Sequence, residues 1–167
     1  ELRETEAHLR RITPLDFNGY NHYARFGREL HNATRRAGYD DVELYMRGSS
    51  VTGRSFSKGT PFRSKSDYDV AIVSPTMMRR AEAVGVEIHK TGGRTRWALT
   101  PDQEAALGLS GLSRALTQRS GHPTSVMIYR SQTVLDDRNS QDREVMRNRH
   151  GDAFAKEYRS YRRIPIE

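Results

Sequence analysis

Apolar residues recur along the chain in two rhythms. After Pro14, a segment from about Asp16 to Ala37 carries Phe26, Leu30, Ala33 and Ala37 at steps of four, three and four. That spacing predicts an amphipathic helix, with Asp16 to cap it and Gly38 to end it. Val42-Glu43-Leu44-Tyr45-Met46 alternates instead and predicts a short strand running into Arg47-Gly48-Ser49-Ser50. A second strand is expected from Asp67-Tyr68-Asp69-Val70-Ala71-Ile72-Val73, stopping at Ser74-Pro75. Val84 to His89 reads as a third, with Thr91-Gly92-Gly93-Arg94 as a hairpin turn into Thr95-Arg96-Trp97-Ala98-Leu99. Thr100-Pro101-Asp102 opens a helix with the stripe Ala105, Leu109, Leu112 and Leu116. Thr124 to Tyr129 reads as a further strand, and the remainder as helical and irregular. The pattern predicts an α/β (α+β) domain in which a small mixed sheet is flanked by helices.

With 167 residues the chain suits one domain with a real core, residues 1–167 forming a single unit. It begins at Glu1, not methionine, as expected of the C-terminal part of a longer protein. The absence of cysteine excludes a disulfide framework, thiolate-bound zinc and a thiol nucleophile. No apolar run suggests a membrane span, and the N-terminus lacks a signal-peptide core, so no membrane partner is expected. The net charge of +7 calls for an anionic partner. It is almost all arginine, since only Lys58, Lys65, Lys90 and Lys156 are lysines, and arginine grips phosphate with paired hydrogen bonds.

That charge is uneven. Between Arg47 and Ser66 stand Arg47, Arg54, Lys58, Arg63 and Lys65 with no acid. From Arg138 to Arg163 eight basic residues oppose four acidic ones, with Phe154, Tyr158 and Tyr161 interleaved, a composition that suits an RNA backbone and equally the inner face of a closing helix. Trp97 reads most simply as a core or hairpin residue, with adenine stacking as the alternative. His89, His122 and His150 have no metal-ligand spacing.

The chemistry lies in the order strand, Gly-Ser-Ser, strand, Asp-x-Asp. Alternate strand residues share a face, so Asp67 and Asp69 reach one site while Tyr68 turns away. Two such carboxylates suit magnesium, which takes oxygen ligands together with substrate phosphates. Gly48 permits close approach of the backbone to phosphate, and Ser49 and Ser50 supply amides and hydroxyls. Arg54, Lys58 and Lys65 are candidates for triphosphate or nucleic-acid contact.

Gly48-Ser49 after one strand and Asp67-Tyr68-Asp69-Val70 on the next resemble the signature of nucleotidyltransferases with the DNA polymerase β-like fold. The likeness covers roughly residues 42 to 74 and extends weakly to Tyr129. It implies that the Gly-Ser pair holds nucleotide phosphates and the aspartates bind Mg2+, with Asp67, Asp69 and Ser49 as catalytic residues. Arg47-Gly48-Ser49-Ser50-Val51-Thr52-Gly53, the basic loop and Ser66-Asp67-Tyr68-Asp69 also resemble nucleotidyltransferase-like toxin domains of bacterial polymorphic toxins. That likeness implies a nucleoside triphosphate as donor, RNA and in particular tRNA as acceptor, action in the cytoplasm after delivery by a secreted or cell-surface toxin, and a cognate immunity protein. Nucleotidylation of protein, pyrophosphate transfer to a nucleotide, and RNA binding without catalysis stay open as alternatives.

Two features depart from the family pattern. Seventeen residues separate Ser49 from Asp67, longer than in minimal members. The family also draws a third carboxylate from a later strand, yet Thr124-Ser125-Val126-Met127-Ile128 contains no acid. Glu87, flanked by Val86 and Ile88, is the one strand-borne acid that the sequence offers as a third metal ligand.

Overall fold

The computed structural model describes residues 4–5, 13–52, 61–63, 66–157 and 161–164. Among them stand four strands in one mixed sheet: β1 (Glu43–Arg47), β2 (Tyr68–Val73), β3 (Thr124–Tyr129) and β4 (Tyr161–Arg163). Their order is β3-β2-β1-β4, with β2 parallel to β3 and the other two pairs antiparallel. The registers set three polar residues in a row across the sheet: Arg47 lies opposite Asp69, and Asp69 opposite Ser125.

The strands alternate as their sequence predicts, and each face of the sheet receives its own apolar cluster. Leu44, Met46, Tyr68, Val70, Ile72, Val126 and Ile128 face the larger core. Helices α1 (Tyr20–Arg36), α3 (Pro75–Ala83) and α5 (Leu112–Ser120) cover that face with Tyr23, Phe26, Leu30, Met77, Met78, Leu112 and Leu116. Each fully buried side chain of this size contributes about 1.5–3 kcal/mol relative to exposure. Tyr45, Ala71, Val73 and Tyr129 point the other way and meet Leu135 of α6 (Gln132–His150). Arg47, Asp69 and Ser125 belong to that second face, at the end where β2 and β3 begin. There the surface changes from apolar to charged, which makes it a place for chemistry.

Several boundaries differ from those expected. Helix α1 starts after Gly19, and Asp16 does not cap it: Asp16 has a φ of 66°, and its carboxylate lies 3.1 Å from His122 Nε2. The helix ends at Ala37 before Gly38, whose φ of 94° suits glycine. Helix α3 is additional to the elements that the pattern predicts. Ser74, where β2 stops, caps it by accepting from the Met77 amide at 3.0 Å, and Asp41 accepts from the Ser74 hydroxyl at 2.6 Å and the Thr76 amide at 2.9 Å.

The single helix expected after Thr100 is two helices. Helix α4 (Pro101–Ala106) opens on a capping box between Thr100 and Gln103, and α5 restarts after Gly111. Gly108 and Gly111, with φ of 79° and 73°, turn the chain so that Leu107, Leu109, Leu112 and Leu116 all reach the core. Glu104 is buried in this turn and accepts from the Ser113 amide at 2.9 Å.

The predicted hairpin forms beyond β3 but is held by isolated bridges, Ile88 to Thr95 and Arg94 to Tyr129. Its inner limb is tied to the β3 edge, with the amides of Thr95 and Leu99 donating to Ile128 and Val126. A short helix α2 (Ser49–Thr52) follows β1, and α7 (Asp152–Glu157) follows α6.

Candidate functional site

The site begins where β1 ends. Gly48 adopts a φ of 82°, a conformation costly for any other residue, and turns the chain from β1 into α2. Because Arg47 is opposite Asp69, this turn falls directly against the Asp69 side chain. A Cβ on Gly48 would stand 2.2 Å from Asp69 Oδ2. On the other side, Ser125 Oγ donates to Asp69 Oδ1 at 2.9 Å. The carboxylate is thus fixed between a bare backbone and a hydroxyl.

Burial raises the proton affinity of Asp69 above that of an ordinary aspartate, and the neighbouring Asp67 charge pushes the same way. Arg47, the Ser125 hydrogen bond and Arg138 oppose that shift. Asp67 is exposed just before β2. Tyr68, between them, is buried on the opposite face and stacks on Phe17 with centroids 4.8 Å apart. The alternation therefore presents Asp67 and Asp69 together.

His122 anchors the approach to this pair. Its ring stacks on Phe62 at 5.0 Å, lies 4.5 Å from that of Tyr68, and contacts the Ser66 carbonyl through Nδ1 at 2.8 Å. The residue next to Asp67 is thereby tied to the start of β3.

A set of charges invisible in the local sequence completes the site. Arg47 Nη2 pairs with Asp142 Oδ2 of α6 at 2.5 Å, with both side chains largely buried. Arg138, one helical turn before Asp142, approaches the same carboxylate at 3.9 Å and donates to the Tyr129 hydroxyl. Burial raises the proton affinity of Asp142, against the fields of Arg47, Arg138 and Arg94. Burial likewise lowers that of Arg94, and Arg138 and Arg47 act in the same direction. Arg94 is brought in by the hairpin, which seats on α6 where Gly93 meets Val134: a Cβ there would lie 2.7 Å from Val134 Cγ2. Three guanidinium groups from three elements thus gather around one carboxylate beside Asp69. Arg138, which the sequence groups with a C-terminal RNA-tracking zone, instead faces inward.

The remaining candidates are dispersed. Gly48 and Ser49 are partly exposed. Ser50 is buried, its carbonyl accepts from the Leu15 amide at 3.0 Å, and among the described residues its hydroxyl has no hydrogen-bond partner, so that hydroxyl is turned into the fold. Arg54, Lys58 and Lys65 lie outside the described residues. Glu87 is not brought to the aspartates. It sits on the outer limb of the hairpin, a strand position beyond the limb that lines β3, and pairs with Arg96 at 2.7 Å with half its side chain in solvent. The hydroxyl of Ser125 occupies the β3 position next to Asp69.

Among the described residues no three His, Cys, Asp or Glu side chains are grouped to hold a metal ion. Two protein carboxylates with phosphate and water completing the shell are still a sufficient donor set for magnesium. Two open clefts, of about 260 and 460 Å3, lie along α1 and α5, away from this chemistry. No helix among the described residues is long and apolar enough to cross a membrane. No known protein family, characterised protein or solved structure matches the chain.

Proposed function

We propose that this chain is a magnesium-dependent nucleotidyltransferase that moves a nucleotidyl group from a nucleoside triphosphate to RNA, with tRNA the favoured acceptor. The observation that carries the reading is the seating of the Asp69 carboxylate against Gly48, with Asp67 one inward-facing residue away. Oxygen donors on a strand end, beside a glycine with no side chain to exclude a phosphate, fit Mg2+ and a triphosphate together. The ion would be held by Asp67 and Asp69 and would neutralise charge developing on the phosphates.

In this reading Gly48 and Ser49 hold the phosphates. Arg47, Arg94 and Arg138 make the surroundings positive, and Asp142 keeps Arg47 in place. The acceptor hydroxyl attacks the α-phosphorus, the bond to the β-phosphate oxygen breaks, and pyrophosphate leaves while the hydroxyl proton is released. Positioning and charge neutralisation supply most of the acceleration.

Incubating the protein with each of the four α-labelled nucleoside triphosphates and total RNA tests this. Label should appear in RNA with magnesium present and vanish in Asp67→Asn and Asp69→Asn. Label in protein bands would point to protein nucleotidylation, and small-molecule products to pyrophosphate transfer. Asp142, the acid nearest the pair, is taken up by Arg47 and Arg138, and among the described residues no three such side chains are grouped to hold a metal ion, which favours a second reading, RNA binding without catalysis. That reading expects binding that persists without magnesium and in both variants. A toxin role, with an immunity protein to restrain it, would show as growth arrest on expression that Asp69→Asn relieves.

A further inference from the structure

The layer between the second sheet face and α6 holds more positive charge than Asp142 balances. Asp142 pairs with Arg47 at 2.5 Å and is approached by Arg138 at 3.9 Å, while Arg94 has no ion pair among the described residues and donates through Nη1 to the Thr95 carbonyl at 3.2 Å. Burial lowers the proton affinity of Arg94, and the field of Arg138 adds to that. The same sign extends to the rim. Desolvation lowers the proton affinity of His89, and the charges acting with it are those of Arg94, Lys90, Arg138 and Arg96, every one a cation. Guanidinium groups gathered against their mutual repulsion make a site for an anion.

This site shares a face with Asp69. Along β3, Ser125, Met127 and Tyr129 alternate onto the second face. Ser125 Oγ donates to Asp69 Oδ1, and Arg138 Nη1 contacts Met127 Sδ at 3.3 Å and donates to the Tyr129 hydroxyl. The Met127 contact is two residues along the strand from the Asp69 contact, roughly 7 Å, which a chain of linked phosphates spans. The fields of Arg47 and Arg138 both reach the Asp69 carboxylate.

An unpaired amide lies in the same layer. Leu135, Asn139 and Asp142 follow one another at helical spacing on α6. Leu135 meets the apolar part of the second face and Asp142 meets Arg47, so Asn139 sits between them over the sheet. It is 4% exposed, and among the described residues neither its Oδ1 nor its Nδ2 has a hydrogen-bond partner. A buried amide in that state is completed by a ligand or by water. Arg138 keeps 21% of its side chain in solvent, which leaves the layer open from outside.

We propose that Arg94, Arg138 and Asn139 form a polyphosphate site that holds the β- and γ-phosphates of the nucleoside triphosphate, with the α-phosphate at Gly48 and the aspartates. This rests on the nucleotidyltransferase reading and adds which groups grip the part that departs as pyrophosphate. Three guanidinium charges less one carboxylate leave a surplus of two, which one further carboxylate would not meet and linked phosphates do.

Full-length protein, with chelator present and without nucleotide, is titrated calorimetrically with inorganic tripolyphosphate, with AMP, and with a short single-stranded RNA lacking terminal phosphate. Tripolyphosphate should bind saturably and more tightly than AMP or the RNA. Arg94→Gln and Arg138→Gln should each weaken it ~10-fold or more, and Arg138→Lys, which keeps the charge and loses the fork, should fall between. Arg35→Gln, at an exposed residue of α1 across the sheet, should bind as the unsubstituted protein does. Asn139→Leu should weaken binding while raising the melting temperature of the ligand-free protein, opposite effects that a purely structural amide would not give. In the Asp67→Asn/Asp69→Asn double variant, metal-free binding should persist or tighten, because those carboxylates repel the anion. Absence of saturable binding, equal weakening by Arg35→Gln, tighter binding of the RNA, or unchanged binding by Arg94→Gln and Arg138→Gln overturns the proposal. Tripolyphosphate binding by a protein that transfers no label keeps this site and removes the transferase. Label transfer with an unaltered nucleotide KM in Arg94→Gln and Arg138→Gln keeps the transferase and removes this site.

Discussion

The α-carbon of Gly48 lies so close to the carboxylate of Asp69 that a methyl group on it would stand 2.2 Å from Oδ2. A strand-end glycine and an acid on the neighbouring strand therefore share one small space, and neither can change without the other responding.

Replacing Gly48 with alanine tests that relationship. The φ of 82° costs a side chain about 1–2 kcal/mol, and the Asp69 side chain must swing aside to admit the methyl group. The melting temperature should fall by about 3–8 °C, and magnesium should no longer raise it. A fall in melting temperature with magnesium stabilisation intact would show that Asp69 holds its place without the glycine.

Asp69 should show its strain in a pH series on the metal-free protein. Its folded-state pKa is raised, so between the ordinary aspartate range and that raised value the folded chain holds a proton that the unfolded chain has lost. Stability contributed by Asp69 is therefore greatest at low pH and declines as pH rises through this window. In Asp69→Asn the decline should flatten, and at neutral pH the variant should melt at or above the temperature of the parent. Asp142, shifted the same way, adds to the decline, while Asp41, which burial would raise but its bonds to Ser74 and Thr76 hold down, slopes the other way. Chemical unfolding with chelator present measures the slope, and equal slopes for the two proteins would contradict the assignment.

The Arg47–Asp142 pair is nearly out of solvent, and loss of one partner leaves the other charge stranded. Asp142→Ala should cost about 2–4 kcal/mol, less than a fully dry pair because the Asp142 side chain retains some exposure. Arg47→Met combined with Asp142→Leu should recover most of that loss, since two apolar side chains satisfy each other. Denaturant melts of the single and double variants give the comparison. Additive losses would mean that the pair is not the main partner for either residue.

His122→Ala should act on the segment before Asp67. It removes a ring stacked on Phe62 and leaves the Ser66 carbonyl without its partner, a loss of about 1–3 kcal/mol. Amide exchange at Ser66 and Asp67 should speed up more than exchange in β1. Uniform acceleration across the sheet would mean that the ring supports the whole fold and not this approach.

The turn at Gly48 and the shared face of Asp67 and Asp69 were legible because both arise from local rules: alternation along a strand, and glycine where the chain must turn. The break between α4 and α5 was hidden because Leu109, Leu112 and Leu116 keep helical spacing through Gly108 and Gly111, so the core pattern continues while the backbone does not. Glu87 misled for the opposite reason. Its flanking Val86 and Ile88 imitate a strand, and the acid between them faces solvent and Arg96. Asp142 left no local trace, since its partner Arg47 is 95 residues away and meets it only when α6 is laid across the sheet.

The register of β4 against β1 has a bearing on how the protein is made. Tyr161 to Arg163 pair with Arg47 to Tyr45, so the strand that carries the glycine turn receives its second neighbour from residues synthesised long after it. Until they leave the ribosome, one edge of β1 stays open and Arg47 lacks that flanking strand. The nascent chain has Gly48, Asp69 and Ser125 in hand well before the sheet around them can close, and the emergence of β4 becomes the event that completes the sheet beside the site.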